Sequence, residues 1–422
     1  MLRNISTQIQ LFSRRAALTG IFVVLVIILF SFLLPDFFSV KYNSERLLAS
    51  VGMSTTTPNT PIVPLVTHVK TPEAVKAVYM TSWVAGTKSI RDKVINIIDT
   101  TEVNSVVIDI KDYTGNVAFK TENSAIDGTG CIENRVPNIR QVIQDLHDRG
   151  VYVIGRIAVF QDPCFVKLHP EAAVKRSSDG GIWKDRKGIT WMDAGSKLVW
   201  DHNIAIARAS YDLGFDEINF DYIRFPSDGN MKDIFFPTSG NKKKAVVIGE
   251  FFQYLDKELR GGQASTSTDP AFDKLYASYT SSSDKNKENG RMVTSADLFG
   301  LVTVANDDLG IGQTLDETLP YVDYIYPMVY PSHFANGWNN FKNPADHPYE
   351  TIKVSMGKAV ERTRAKGLNI QKLRPWLQDF DLGATYTAEM VRSQIQATYD
   401  VGLTSWLMWD PSNKYTVGAF NK

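Results

Sequence analysis

Eight short apolar runs recur along the chain, with amphipathic stretches between them. The runs are AVYMTSW (77–83), VNSVVIDI (103–110), VYVIGRIAVF (151–160), FDEINFDYIRF (215–225), MVTSADLFG (292–300), VDYIYPMVY (322–330), LRPWLQDF (373–380) and LTSWLMWD (403–410). Most are nearly continuous in apolar residues rather than alternating, which is the pattern of strands covered on both faces. The gaps hold helix candidates at 88–101, 136–149, 197–213, 243–260, 350–366 and 387–401, while TLDETLPYV after the fifth run supplies only a short helix. Gly150, Gly214, Gly367 and Gly402 stand where a helix C-cap meets the next strand. Eight strand–crossover units in about 340 residues predict an α/β fold, a (β/α)8 TIM barrel. A doubly wound open sheet is the rival, but no Gly-rich phosphate-binding turn follows the first strand.

Upstream of the barrel the pattern changes twice. Ala16 to Leu34 is an uncharged stretch close to the ~20 residues that a spanning helix needs. Arg3, Arg14 and Arg15 precede it, so the positive-inside rule leaves the N-terminus cytoplasmic and sends the rest across. A cleaved signal peptide competes, but PDFFSV after Leu34 offers no small-x-small cleavage site. Residues 50–72 are rich in Ser, Thr and Pro and read as linker. The expected organisation is a cytoplasmic tail (1–15), a transmembrane helix (16–34), a linker (35–72) and the barrel domain (73–422). The expected product is a single-pass membrane protein with its barrel extracellular or periplasmic. Residues 261–290, polar and Ser/Lys-rich, read as a mobile insertion, and 161–196 as a long loop on the face where strands end.

Composition narrows the chemistry. Lys plus Arg and Asp plus Glu are both 46, so no basic footprint points to nucleic acid. Six scattered histidines form no HxH or HExxH, and GxSxG is missing. That argues against a catalytic transition metal and against a serine hydrolase. No cofactor is expected.

Strand ends of such a barrel face its mouth. Read in order they give Trp83; Asp109 with Asp112; Gln161 with Asp162; Asp221 with Arg224; and Asp297. Tyr326, Tyr330 and His333 follow, then Gln378, Asp379 and Asp381, and last Trp409 with Asp410. A ring of carboxylates interleaved with aromatics suits glycoside hydrolysis, which needs one ionised and one protonated carboxyl group and stacking surfaces for sugar. Asp112, Asp162 and Asp410 are read instead as helix caps or loop residues. In the fourth run, alternation places Glu217, Asn219, Asp221 and Ile223 on one face and Ile218, Phe220 and Tyr222 on the other. Asp221 on the lumen face needs a charge partner, and Arg224 is the expected one. A purely structural Asp–Arg pair is the alternative.

INFDYIRFPSDG, SADLFG, DYIYPMVYPSHF, PWLQDF and SWLMWDPSNKY together resemble a family of glycosyl hydrolases of the TIM-barrel glycosidase clan, long known only as a domain of unknown function. The resemblance covers about residues 75–415 and implies a carbohydrate-active barrel with an unsettled substrate. More distantly the layout is similar to the alpha-amylase superfamily, where carboxylates on strands four, five and seven act as nucleophile, acid/base and transition-state stabiliser. The resemblance maps these roles onto Asp221, Asp297 and Asp379 or Asp381. Asp replaces Glu on strand five, and the amylase DxxxxN-and-His pattern is missing, so neither starch nor calcium carries over.

The expectation is a membrane-anchored glycoside hydrolase acting on an envelope or extracellular polysaccharide, with Asp221 and Asp297 catalytic. Trp83, Asp109, Arg224, Tyr326, Tyr330, His333, Asp379, Asp381 and Trp409 are candidate substrate contacts. The alternatives are a non-catalytic barrel that binds envelope glycan as tether or sensor, and a purely structural surface protein. With the barrel assumed, Cys131 and Cys164 fall in neighbouring loops after strands two and three, where a disulfide suits a translocated domain.

Overall fold

Eight parallel strands close into a barrel in chain order. They are β1 (Lys76–Met80), β2 (Ser105–Lys111), β3 (Tyr152–Ala158), β4 (Glu217–Asp221), β5 (Val293–Phe299), β6 (Tyr324–Met328), β7 (Trp376–Gln378) and β8 (Trp406–Trp409). A computed structural model of the chain describes residues 66–260 and 292–422. The expected tail, transmembrane helix, most of the linker and the insertion 261–290 lie outside the described residues. Among those residues no helix is long and apolar enough to cross a membrane.

Each strand is shorter than its apolar run because the ends turn into caps and loops. The crossover helices Lys88–Thr100, Ile139–His147, Lys197–Tyr211, Lys244–Leu255, Pro348–Ala365 and Ala388–Asp400 fall in the expected gaps. Gly150 and Gly214 take φ of +73° and +116°, a region closed to most side chains, and so reverse the chain into β3 and β4.

Two apolar layers result. Outward residues such as Val106, Ile108, Ile218 and Phe220 pack under the helices. A smaller cluster including Tyr79, Val107, Tyr152, Tyr326 and Trp376 fills the lumen. The lumen also holds charge. Glu217 pairs with Arg374 at 3.0 Å and accepts from the Tyr152 hydroxyl at 3.0 Å and from the Tyr326 hydroxyl. This network lies below the mouth, so Tyr326, a candidate sugar contact, is instead a lumen residue with no exposure.

The last residues of the expected linker lie against the barrel's N-terminal end. Val69 N donates to Asp216 Oδ1 at 2.7 Å, and His68 stacks on Tyr211 with ring centroids 4.0 Å apart.

Candidate active site

Strand register brings the central groups together. Asp109 on β2 pairs with Arg156 on β3, Arg156 with Asn219 on β4, and Asn219 with Ser295 on β5. Two residues further toward the strand ends stand Asp221 on β4 and Asp297 on β5. The side-chain period of two turns all of these residues into the lumen.

Arg156 is the hub. Its Nη1 donates to Asp109 Oδ1 at 2.7 Å, and its Nε donates to Asp221 Oδ2 at 3.0 Å while Nη2 donates to the same oxygen. The same Nε stands 3.6 Å from Asp297 Oδ2. One buried guanidinium thus faces three carboxyl groups. Asp109 has a second donor, the Tyr79 hydroxyl at 2.5 Å, and Tyr79 in turn stacks on Trp409 with ring centroids 4.0 Å apart.

Asp297 is held differently. Its Oδ1 accepts from Asn219 Nδ2 at 3.0 Å and from Trp376 Nε1 at 2.9 Å, which leaves Oδ2 toward Arg156. Burial pushes its carboxyl well above the usual range, and the neighbouring Asp221 charge adds to that; Arg156 and the two donors oppose it only in part. Burial also raises Asp109, with Arg156 working against it.

These groups border a cavity of about 300 Å³ whose wall includes Asp221, Asp297, Tyr222, Tyr330, His333 and Trp409. Burial lowers the His333 pKa, so its imidazole is neutral at neutral pH. Tyr222 has φ of +53°, a strained setting for a bulky residue, and its N–H donates to Asp221 Oδ1 at 2.5 Å. That turn ends β4 at Asp221 and breaks the expected alternation. Tyr222 therefore lines the cavity, and Ile223 goes into the core.

Other candidates fall elsewhere. Arg224, expected to pair with Asp221, has no carboxylate within 4 Å among the described residues. The partner is Arg156, because the turn at Tyr222 carries Arg224 outward to the cavity rim. Asp379 directs both oxygens to Thr416, accepting from its hydroxyl at 2.6 Å and its N–H at 2.7 Å. Burial raises its pKa to about 6. Asp381 accepts from Tyr386 N at 2.8 Å. Neither lines the cavity, so the strand-seven carboxylate suggested by the amylase layout is not at this site. Trp83 is 59% exposed, lies over Arg135, and is not part of the cavity wall. Asp112 and Asp410 bind loop N–H groups, and Asp162 caps the helix Pro163–Leu168 while pairing with buried Lys111 at 2.5 Å. Cys131 and Cys164 form a disulfide between the loops after β2 and β3.

Three contributors were not singled out from the sequence. Arg156 carries a visible signal, a lone charge in the apolar run VYVIGRIAVF. Tyr79 and Tyr222 carry none, because a tyrosine in a strand reads as core.

Comparison with known proteins bears on what such a site does. The family described as "putative glycosyl hydrolase domain" matches residues 77–415. Among solved structures, a hypothetical protein from Ruminiclostridium thermocellum is 31% identical, covering 56% of this chain and 98% of that one, with a TM-score of 0.40. The PgaB (BpsB) glycoside hydrolase domain from Bordetella bronchiseptica is 14% identical, covering 82% of this chain and 99% of that one, with a TM-score of 0.54; the likeness is one of fold. No curated protein matches the chain.

Proposed function

Because the chain belongs to this family of glycosyl hydrolase domains, we propose that it cleaves a glycosidic bond of an envelope or extracellular polysaccharide with Asp221 and Asp297 as the reacting pair. One observation carries the reading: two carboxyl groups on adjacent strands border one cavity in opposite settings. Asp221 faces the Arg156 charge, and Asp297 is pushed toward its protonated form. Unlike environments of this kind separate a nucleophile from an acid.

In this mechanism an Asp221 oxygen forms a bond to the anomeric carbon as the bond to the leaving oxygen breaks. Asp297 Oδ2 gives its proton to that oxygen, and the alcohol departs. Water then attacks the anomeric carbon while Asp297, now a carboxylate, takes its proton, and Asp221 is released with its electron pair. Asn219 and Trp376 hold Asp297 Oδ1 as an acceptor, so the proton is carried on Oδ2. Trp409, backed by Tyr79, offers a stacking face for a sugar ring.

The setting is proposed to be the outer side of a membrane. The uncharged stretch Ala16–Leu34, the preceding arginines and the Cys131–Cys164 disulfide support this, since disulfides persist in oxidising compartments. Protease added to spheroplasts, which lack any outer barrier, should then digest the barrel domain.

The test of catalysis is release of reducing ends from a panel of envelope polysaccharides by the purified full-length chain. The wild type should act on at least one of them, and Asp221→Asn and Asp297→Asn should not. Retained glycan binding with no turnover by the wild type would favour a tether or sensor.

A further inference from the structure

The cavity wall contains a second guanidinium with a free edge. Arg224 lies over the ring of Trp191, 4.9 Å from its centroid, and beside Tyr222 at 5.7 Å. Its Nη1 is tethered, donating to Phe225 O and Ser227 Oγ at 3.2 Å each. Neither Nε nor Nη2 donates to any described residue, and no described carboxylate lies within 4 Å of the group. Yet Arg224 borders the same cavity as Asp221 and Asp297.

Burial lowers the Arg224 pKa, which marks a cation partly stripped of water. Asp221, Asp228 and Asp185 lie in the same neighbourhood without a direct ion pair to Arg224, and Asp185 is occupied. Its oxygens accept from Lys187 N, Ile189 N and Trp191 Nε1. Across the cavity Arg156 is already balanced by Asp221 and Asp109. Arg156 thus meets two carboxylates in direct contact, whereas Arg224 meets none among the described residues. A stacked guanidinium with its Nε/Nη2 edge open matches the planar geometry of a carboxylate, which takes two parallel N–H bonds.

Building on the hydrolase reading, we infer that the substrate is an acidic glycan, with a uronate carboxylate held by Arg224 in the sugar beside the scissile bond. Trp191 and the Nη1 tether fix the plane of the fork, so the carboxylate sets the register of the chain over Asp221 and Asp297.

The experiment offers the full-length chain polygalacturonate, hyaluronan and alginate, each beside its carboxyl-reduced counterpart, together with dextran and dextran sulfate. Hydrolysis is read as reducing ends, and binding is read with Asp297→Asn. At least one uronate glycan should be cleaved or bound more than tenfold better than its reduced form. Arg224→Gln should lower that preference roughly ten- to hundredfold, in keeping with loss of a charged hydrogen-bonded pair, chiefly in KM. Arg224→Lys should recover part of it, and Asp228→Asn should leave it in place. Equal action on acidic and reduced forms, an equal loss on both in Arg224→Gln, or a preference for sulfate alone would overturn the assignment while leaving the hydrolase reading intact. Arg224-dependent binding of a uronate glycan with no cleavage of any glycan would uphold it and remove the hydrolase reading. Thermal unfolding of each variant separates these outcomes from misfolding.

Discussion

Arg156 and Asp221 are joined by two N–H groups, Nε and Nη2, that converge on one oxygen, Oδ2. The pair is buried, with side-chain exposures of 8% and 7%. A buried ion pair of this kind is weak evidence of stability, because desolvation offsets most of the attraction. Its value lies in placement, since the same guanidinium also orders Asp109 and faces Asp297.

Replacing Arg156 with Met should therefore cost more than one contact. Breaking a buried pair from one side costs about 3–5 kcal/mol, since the carboxylates left behind have no counter-charge. Arg156 opposes the rise of the Asp297 carboxyl, so its loss raises that group further. The alkaline limb of the pH–rate profile should move to higher pH as total activity falls. Arg156→Lys should keep more stability than Met yet fail to restore the rate, because an ammonium cannot reproduce the fork. Thermal melts and a pH–rate profile measure both effects. An unmoved alkaline limb in Arg156→Met would sink the assigned role.

Asp297 links activity to stability. Its folded pKa lies well above the unfolded value of about 3.9. The fold therefore favours the protonated form. Its contribution is full below the unfolded pKa and is lost as pH rises toward the folded one. Activity should fall in the same direction, since the acid must hold its proton. Asp297→Asn cannot titrate, so its melting temperature should decline less than that of the wild type as pH rises from about 4 to neutrality. Its rate should fall by at least ~10²-fold, as expected for removal of a general acid. Parallel melting curves for the two proteins across that range would contradict the buried-acid reading.

Much of this arrangement was legible in the chain. All eight strands follow from apolar runs, because a sheet covered on both faces leaves few polar residues in its strands. The lumen face of β4 follows from alternation through Glu217, Asn219 and Asp221. What alternation could not show is the reversal at Tyr222, where a left-handed backbone swaps the faces of everything that follows. The partner of Asp221 was misread for the same reason. Sequence proximity favoured Arg224, three residues away, whereas barrel register supplied Arg156 from the neighbouring strand. Asp379 likewise sits at a strand end as expected, but Thr416, far along the chain, claims both its oxygens. Long-range partners of this type leave no local pattern.

The Cys131–Cys164 bridge closes a segment with a sequence separation of 33. A loop of that size corresponds to roughly 3–4 kcal/mol of stabilisation through the unfolded chain. It also ties the loop after β2 to the one after β3, next to the buried Lys111–Asp162 pair. The Cys131→Ser/Cys164→Ser variant should melt at a lower temperature while its KM stays near that of the wild type, since neither cysteine lines the cavity. Mass spectrometry should find both thiols resistant to alkylation until reductant is added. Ready alkylation without reductant would show that the bridge does not form.

Stereochemistry gives the sharpest check on the paired carboxyl groups. Asp221 Oδ2 and Asp297 Oδ2 lie 3.0 and 3.6 Å from the same Arg156 nitrogen. These two oxygens can therefore be no farther apart than those two distances end to end, and any bend at the nitrogen brings them closer. Retaining glycosidases hold their carboxyl groups ~5–5.5 Å apart, and inverting ones hold them ~6.5–9.5 Å apart to admit a water. The shared guanidinium thus keeps these two oxygens closer together than nearly all of the inverting range, which favours retention. Once a cleaved glycan is in hand, proton NMR of the first product formed should show the anomeric configuration of the substrate. Added methanol should be captured as a methyl glycoside of that same configuration. A product that first appears with the opposite anomer would mean that Asp221 activates water rather than attacking, and that the two carboxyl groups separate when substrate binds.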